Sequence, residues 1–415
     1  MRDVYVIGAG MTRFGKYMDR NMKSLAEEAV TRALEHAGVD KSDLQAAWVG
    51  NSVQGIVTGQ ESIRGQVVLR AMGIGAIPVM NVENACASAS SAFYGAWMGI
   101  GSGIYDVALA LGMEKLVMED KQKSFQVFWA ATDVELMEAF KAMMKAEEDK
   151  KKEMGAKSAG EGGAGKSRSA FMDIYSLAAR NHMKKYGTTQ RQLAVISAKN
   201  HFHSSMNPYA QYQMNMTVEE VLAAPEVSYP LTRPMCSPVG DGAAAAILCS
   251  KEFAKKIGAS KLVKVRACAL GSGRDRDFDE EDLGQRLSRV AYEAAGVGPE
   301  DIDVAEVHDA TAFGELHQTE VLGFCREGEG GPFAESGATT LGGKIPINTS
   351  GGLESRGHPI GATGLAQICD LTWQLRGECG KRQVQGARLA LAENGGGNIG
   401  IEEAAMVITI LEKAF

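Results

Sequence analysis

Two distant stretches of the chain are close copies of one another, "ALEHAGVDKSDLQAAWVGN" at 33–51 and "AYEAAGVGPEDIDVAEVHD" at 291–309. In this register Ala33, Glu35, Ala37, Gly38, Val39, Asp43, Leu44, Ala47 and Val49 face Ala291, Glu293, Ala295, Gly296, Val297, Asp301, Ile302, Ala305 and Val307. A second pair follows in the same order, "ALALGMEK" at 108–115 beside "RLALAENG" at 388–395. Self-similarity of this kind predicts two halves built alike, which removes most folds from consideration. Within a half, "DVYVIGAG" reads as a buried strand, "KSLAEEAVTRALEHAG" as an amphipathic helix closed by Gly38, and "AAWVGNSV" as another strand. Alternating strands and helices imply parallel sheet covered by helices. In such sheets ligands bind beyond the strand ends, so residues that differ between the halves there are candidates for function. Gly50 faces His308, and Gly112, Met113 and Glu114 face Ala392, Glu393 and Asn394.

Residues 119 to about 230 have no counterpart in the repeat. They include the charged run "VELMEAFKAMMKAEEDKKKEMG" and the glycine- and serine-rich "AKSAGEGGAGKSRSAF". The two read either as a solvated helix followed by a mobile loop, or as a lid over a ligand.

Composition narrows the partners. The formal net charge of −7 speaks against a nucleic-acid groove or an anionic membrane as the main partner, while leaving room for a phosphorylated small molecule held by local lysines. Cysteines 86, 236, 249, 268, 325, 369 and 379 form no Cys-x-x-Cys pair and are odd in number, which is neither a zinc framework nor a disulfide one. The opening "MRDVYVIGAGMTRFG" is no signal peptide, and no apolar run approaches the roughly 18 residues of a membrane span. A cytoplasmic protein with reduced thiols is expected.

Several short signals fail. "GAGMTRFG" has Arg13 where a dinucleotide-binding loop needs its third glycine. His201 and His203 in "HFH" have no acidic or cysteine partner at a metal-ligand spacing. Other segments survive. Cys86, in "VENACASASSAF", is either a small packing residue at a helix mouth or a thiolate placed to attack. His358, inside "NTSGGLESRGHPIGATG", is either exposed to a ligand by its glycines or bonded within a turn. His308 closes a predicted strand, and the glycines at 395–397 can present backbone N–H groups to an oxyanion.

Taken together, "NACASASSAF", "GGLESRGHPIGATG", "PLTRPMCSPVGDGAAAAIL" (230–248), "HDA" (308–310) and the late "GGGNIG" resemble the thiolase superfamily over nearly all 415 residues. The opening "GAGMTRFG" resembles the branch of sterol-carrier-protein thiolases and archaeal acetyl-CoA acyltransferases. The resemblance implies a five-layered αβαβα fold made of two similar halves with an inserted loop domain. Residues 1–118 with 231–255 would form the N-terminal half, 119–230 the insert and 256–415 the C-terminal half. It implies Cys86 as nucleophile, its thiol acidified by a helix N-terminus and an imidazolium. It implies His358 as the base, His308 as a holder of the enolate oxygen, and the N–H groups of Cys86 and Gly395 as an oxyanion hole.

The sequence departs from the family at the second catalytic cysteine. Glu393 stands where most thiolases carry it, and Ala310 where the sterol-carrier branch does. Glu393 either handles the proton, if burial raises its pKa, or is a spectator. The resemblance implies no permanently bound cofactor or metal, coenzyme A as substrate, and a homodimer with a small zinc- and OB-fold-containing partner subunit. The expected substrate is a bulky or aromatic 3-oxoacyl-CoA such as benzoylsuccinyl-CoA, cleaved degradatively. A 3-oxoacyl synthase and a non-catalytic acyl-binding subunit are the alternatives. Lysines and arginines of 141–168 are candidates for the CoA phosphates.

Overall fold

The computed structural model of the chain describes residues 1–136, 169–277 and 280–415. The inserted charged run and glycine-rich loop, with the basic residues of 141–168, lie largely outside them. Nine strands form one sheet: β1 (Val4–Met11), β2 (Ala46–Gly50), β3 (Val79–Val82), β4 (Val107–Glu114), β5 (Gly242–Ser250), β6 (Val263–Ser272), β7 (Val304–Glu306), β8 (Leu389–Ile399) and β9 (Glu402–Lys413). Their spatial order is β3-β2-β4-β5-β1-β6-β9-β8-β7. Only two residue pairs, Tyr5 with Lys264 and Val6 with Val263, join β1 to β6, and this seam divides the sheet into two halves.

The halves repeat as the sequence predicts. Parallel β2 and β4 in one correspond to parallel β7 and β8 in the other. Helix α1 (Met22–Ala37) is capped by Asn21 and ends at Gly38 with φ 67°. Its counterpart α6 (Leu283–Ala295) is capped by Asp282 and ends at Gly296 with φ 66°. Both glycines take the left-handed conformation that other residues adopt at a cost. A one-turn helix follows each, Lys41–Asp43 and Pro299–Asp301.

Five layers follow from which faces are apolar. On β5, Ala244, Ala246 and Leu248 face one way, and Ala243, Ala245, Ile247 and Cys249 the other, all fully buried. A strand covered on both faces reads as one continuous apolar run, as "AAAAILC" does. On the outer face of the first half lie α1 and α2 (Arg64–Ala71). Gly10 makes this possible: a Cβ there would sit 2.4 Å from the backbone nitrogen of Ala33. The glycines of "GAGMTRFG" therefore admit a helix rather than a phosphate.

Between the half-sheets lie α3 (Ser88–Gly101) and α8 (Thr363–Arg376), whose Phe93, Ala96, Leu365 and Leu371 share one core with Ala108 and Ala246 of the first half and Val304, Ala390 and Val407 of the second. Helix α6 covers the outer face of the second half. From the insert, α4 (Ala170–Tyr186) and α5 (Gln190–Ser205) pack on α7 (Ala312–Val321). No described helix is long and apolar enough to cross a membrane.

Candidate active site

The two central helices begin at the same place, and each brings a functional side chain there. Cys86 sits in the single turn Ala85–Ala87 that leads into α3. Ala85 has φ 48°, a left-handed conformation that costs a non-glycine residue about 1 kcal/mol or more. Side chains hold this kink: the Ser88 hydroxyl donates to the Ala85 carbonyl at 2.7 Å and accepts from the Asn84 N–H at 3.0 Å. His358 lies between an unusual π-turn, Gly352–Arg356, and the start of α8. His308 follows β7.

One sulfur or ring-nitrogen atom from each of Cys86, His308 and His358 lies within 4.8 Å of the other two. The two imidazoles meet edge to face, with centroids 5.2 Å apart. Hydrogen bonds set their tautomers. Nδ1 of His358 is 2.7 Å from Thr363 Oγ1, whose own hydroxyl donates to the Pro359 carbonyl. Nδ1 therefore carries the hydrogen, and the lone pair of Nε2 is free to take a proton. At His308 the polarity is reversed. The Asn394 side chain accepts the Ser90 hydroxyl at 2.7 Å through Oδ1 and donates through Nδ2 to His308 Nδ1 at 3.1 Å. Nε2 of His308 then keeps its hydrogen and can donate it to an oxyanion. One base and one donor face the same thiol.

The electrostatics of the site run against one sequence expectation. Burial pushes the Cys86 thiol up to about 12, aided by the Glu114 and Glu83 carboxylates, and the N–H groups of Gly397 and Cys86 itself offset this only in part. Burial also pulls His308 down to about 4, and it holds His358 well below the usual histidine range, helped by His308 and Arg356. The expected thiolate beside an imidazolium is therefore absent at rest: thiol and both imidazoles are neutral, because desolvation outweighs the helix N-terminus. Alkylation of Cys86 by iodoacetamide should accordingly keep rising through pH 10, as more thiolate forms. Peptide mass spectrometry along a pH series checks this, and a plateau below pH 8 would contradict it.

Two glycine N–H groups of the late run face different partners. The backbone N–H that reaches Cys86 belongs to Gly397, while that of Gly395 faces the Glu393 carboxylate. Glu393 is fully buried, accepts the His308 N–H at 2.8 Å, and is pushed up to about 8, first by burial. Ala310 is buried, and its carbonyl accepts the Ser237 N–H.

Cys86, His308 and His358 are also the one group of described residues spaced to hold a metal ion. A zinc-bound histidine normally donates its second ring hydrogen outward, which would leave Nε2 bare. His308 accepts at Nδ1 instead, so its protonated Nε2 suits an oxyanion better than a cation. His201 and His203 lie elsewhere. Both nitrogens of His203 are used, by the Asn348 carbonyl and the Leu341 N–H.

Four residues at the site received no role from the sequence. Asn394 and Thr363 orient the imidazoles. Tyr175 of α4 lies within the electrostatic reach of Cys86, Glu393 and Glu403, and Glu403 of β9 lies over Gly395. The repeat comparison did place Asn394 among strand-end differences, without a role.

Two family models match the chain, the thiolase N-terminal domain over residues 4–222 and the thiolase C-terminal domain-like model over 275–411. An acetyl-CoA acetyltransferase of Methanothermobacter thermautotrophicus is 40% identical over 96% of this chain and 98% of its own. Human sterol carrier protein 2 is 38% identical over 100% of this chain and 73% of its own. Benzoylsuccinyl-CoA thiolase subunit BbsB of Thauera aromatica is 34% identical over 95% of both. Among solved structures, the Ltp2-ChsH2(DUF35) aldolase superposes with TM-score 0.75 at 22% identity over 99% of this chain and 98% of that one. Human mitochondrial 3-ketoacyl-CoA thiolase superposes with TM-score 0.70 at 17% identity over 100% and 99%. These two share the fold. With its two-half architecture, its cysteine at the mouth of one central helix and its histidine at the mouth of the other, the chain belongs to the thiolase family of acyltransferases.

Proposed function

We propose that this protein cleaves a 3-oxoacyl-CoA with CoA through an acyl-Cys86 intermediate. The observation that carries this reading is the meeting of Cys86, His308 and His358 within 4.8 Å, with a backbone N–H at the thiol. Nε2 of His358 takes the thiol proton as sulfur attacks the 3-keto carbon. The N–H groups of Cys86 and Gly397 receive the oxyanion, and Nε2–H of His308 donates to the thioester oxygen as the C2–C3 bond breaks and an enolate forms. A second CoA then releases the acyl group. The chain's division at 1–118 with 231–255, 119–230 and 256–415 belongs to the same reading.

For the substrate we propose a bulky or aromatic 3-oxoacyl-CoA, cleaved degradatively. The likeness to BbsB supports this, and benzoylsuccinyl-CoA is the member to try first. A cytoplasmic homodimer is proposed, with a small zinc- and OB-fold-containing subunit as partner. The second component in the name of the Ltp2-ChsH2(DUF35) aldolase is the support for a partner. No cofactor is required, since the thiol, the imidazoles and CoA supply the chemistry.

The test is intact-protein mass spectrometry with a panel of 3-oxoacyl-CoAs. The native chain should gain the mass of the acyl group, and Cys86→Ser should not. An adduct that survives in Cys86→Ser would overturn the assignment. Acylation by an acyl-carrier protein in place of acyl-CoA would indicate a synthase.

A further inference from the structure

The thiolysis just proposed leaves one proton without an owner. Breaking the C2–C3 bond leaves an electron pair on C2, and that carbon must be protonated. His358 holds the thiol proton, and His308 donates only a hydrogen bond. Two unused acidic groups stand on the paired strands β8 and β9, and one of them accepts the His308 backbone N–H.

Glu393 is fully buried, with Oε2 on the His308 N–H and Oε1 without a hydrogen-bond partner among the described residues. Glu403 is half-buried, and no hydrogen bond or ion pair among the described residues engages its carboxylate. Its place depends on a missing side chain: a Cβ on Gly395 would sit 2.5 Å from Glu403 Oε1. Gly395 is two residues past Glu393 on the same strand face, so the glycine makes room for the second carboxylate beside the first. Burial, followed by the charges of Glu403, Cys86 and Glu393, pushes the Tyr175 phenol up.

We propose that Glu403 is the acid and base that exchanges the C2 proton of the acyl-CoA, and that Glu393 is a positioning residue that keeps that proton on the pair. In the cleavage direction the C2–C3 electron pair moves to the enolate, and the Glu403 carboxyl gives its proton to C2. The Glu403 carboxylate then recovers the proton held by His358, and the freed Nε2 of His358 takes the thiol proton of the incoming CoA. The CoA sulfur attacks the acyl group, and the sulfur of Cys86 departs with the proton that His358 had held. Both carboxyls return to their starting state, and no other reactant is consumed.

The surroundings favour one retained proton. Glu403 faces Glu393, Asp282, Glu402, the His317 ring and Tyr175. Burial, then Glu393 and Asp282, pushes Glu403 up to about 8, against the pull of His317. Two such groups in a low-dielectric site cannot both ionise at neutral pH, so they titrate as a pair.

The experiment separates two reactions of one protein. Acylation of Cys86 by acetyl-, propionyl- or succinyl-CoA involves no C2 chemistry, while exchange of C2 hydrogen with deuterium oxide involves nothing else. Glu403→Gln should acylate within about threefold of native while C2 exchange falls at least about 10²-fold, the usual contribution of a placed acid or base. Glu393→Gln should retain exchange, and its rising limb should move to lower pH, because a like charge next to Glu403 is gone. Native exchange in Glu403→Gln, or parallel loss of acylation and exchange, would overturn the proposal. Failure of the native chain to acylate at Cys86 would overturn the thiolase mechanism itself, a separate result.

Discussion

Cys86→Ala should lower 3-oxoacyl-CoA cleavage by at least about 10⁴-fold in kcat, with stability held within about 1 kcal/mol. The size follows from the role. Without the sulfur there is no covalent intermediate, and neither histidine can attack the 3-keto carbon in its place. The small stability effect follows from position, since Cys86 is half-buried in a turn fixed by Asn84 and Ser88 rather than by its own side chain. His358→Ala should cost nearly as much as Cys86→Ala, and the double variant scarcely more than either, because both act in the same proton transfer. Steady-state kinetics of the two single variants and the double variant check this. Additive losses would mean that the residues do not act as a unit.

The second large effect is on stability. Arg356 has no exposed surface, and its guanidinium reaches both Glu306 of β7 and Asp370 of α8 at 3.2 Å. Arg356→Met should destabilise the protein by about 3–5 kcal/mol, because it leaves two carboxylates buried with less compensation. Asp370 keeps Arg382, so the larger share falls on Glu306. The sign of the pH dependence is fixed. Burial pushes Glu306 up to about 6 even with Arg356 present, so the folded state binds more protons than the unfolded one between the ordinary glutamate value and pH 6. That term lowers stability as pH rises through this window. Removing Arg356 widens the window upward, so the deficit of the variant should be smaller at pH 5 than at pH 8. Urea unfolding at the two pH values measures it, and an equal deficit at both would contradict the assignment.

The repeat in the sequence carried much of the architecture, because local rules wrote it twice. Gly38 and Gly296, the capped helices before them and the alternation on β5 all follow from short-range periodicity. His308 was legible as a strand-end residue opposite Gly50, and Cys86 and His358 through their motifs. Tyr175 was not, since it comes from an element distant in sequence, and Glu403 was not, since it follows the glycine run outside any motif. The N–H that reaches the thiol belongs to Gly397 and not to Gly395. Neighbouring strand positions differ by only about 3.3 Å, and a run of three glycines holds no local cue to which N–H faces the sulfur. The acidified thiol was misjudged for a related reason: the helix N-terminus is written in sequence, whereas the desolvation that outweighs it arises only when the layers close.

The seam between the halves has a consequence for how the site is lost. Cys86 enters on α3 of the first half, while His308, His358 and Asn394 come from the second. Neither half alone holds a nucleophile with its base, so the catalytic set works as a coincidence detector. The set is complete only where the two halves meet, so damage to the packing between them reaches the chemistry without touching a catalytic side chain.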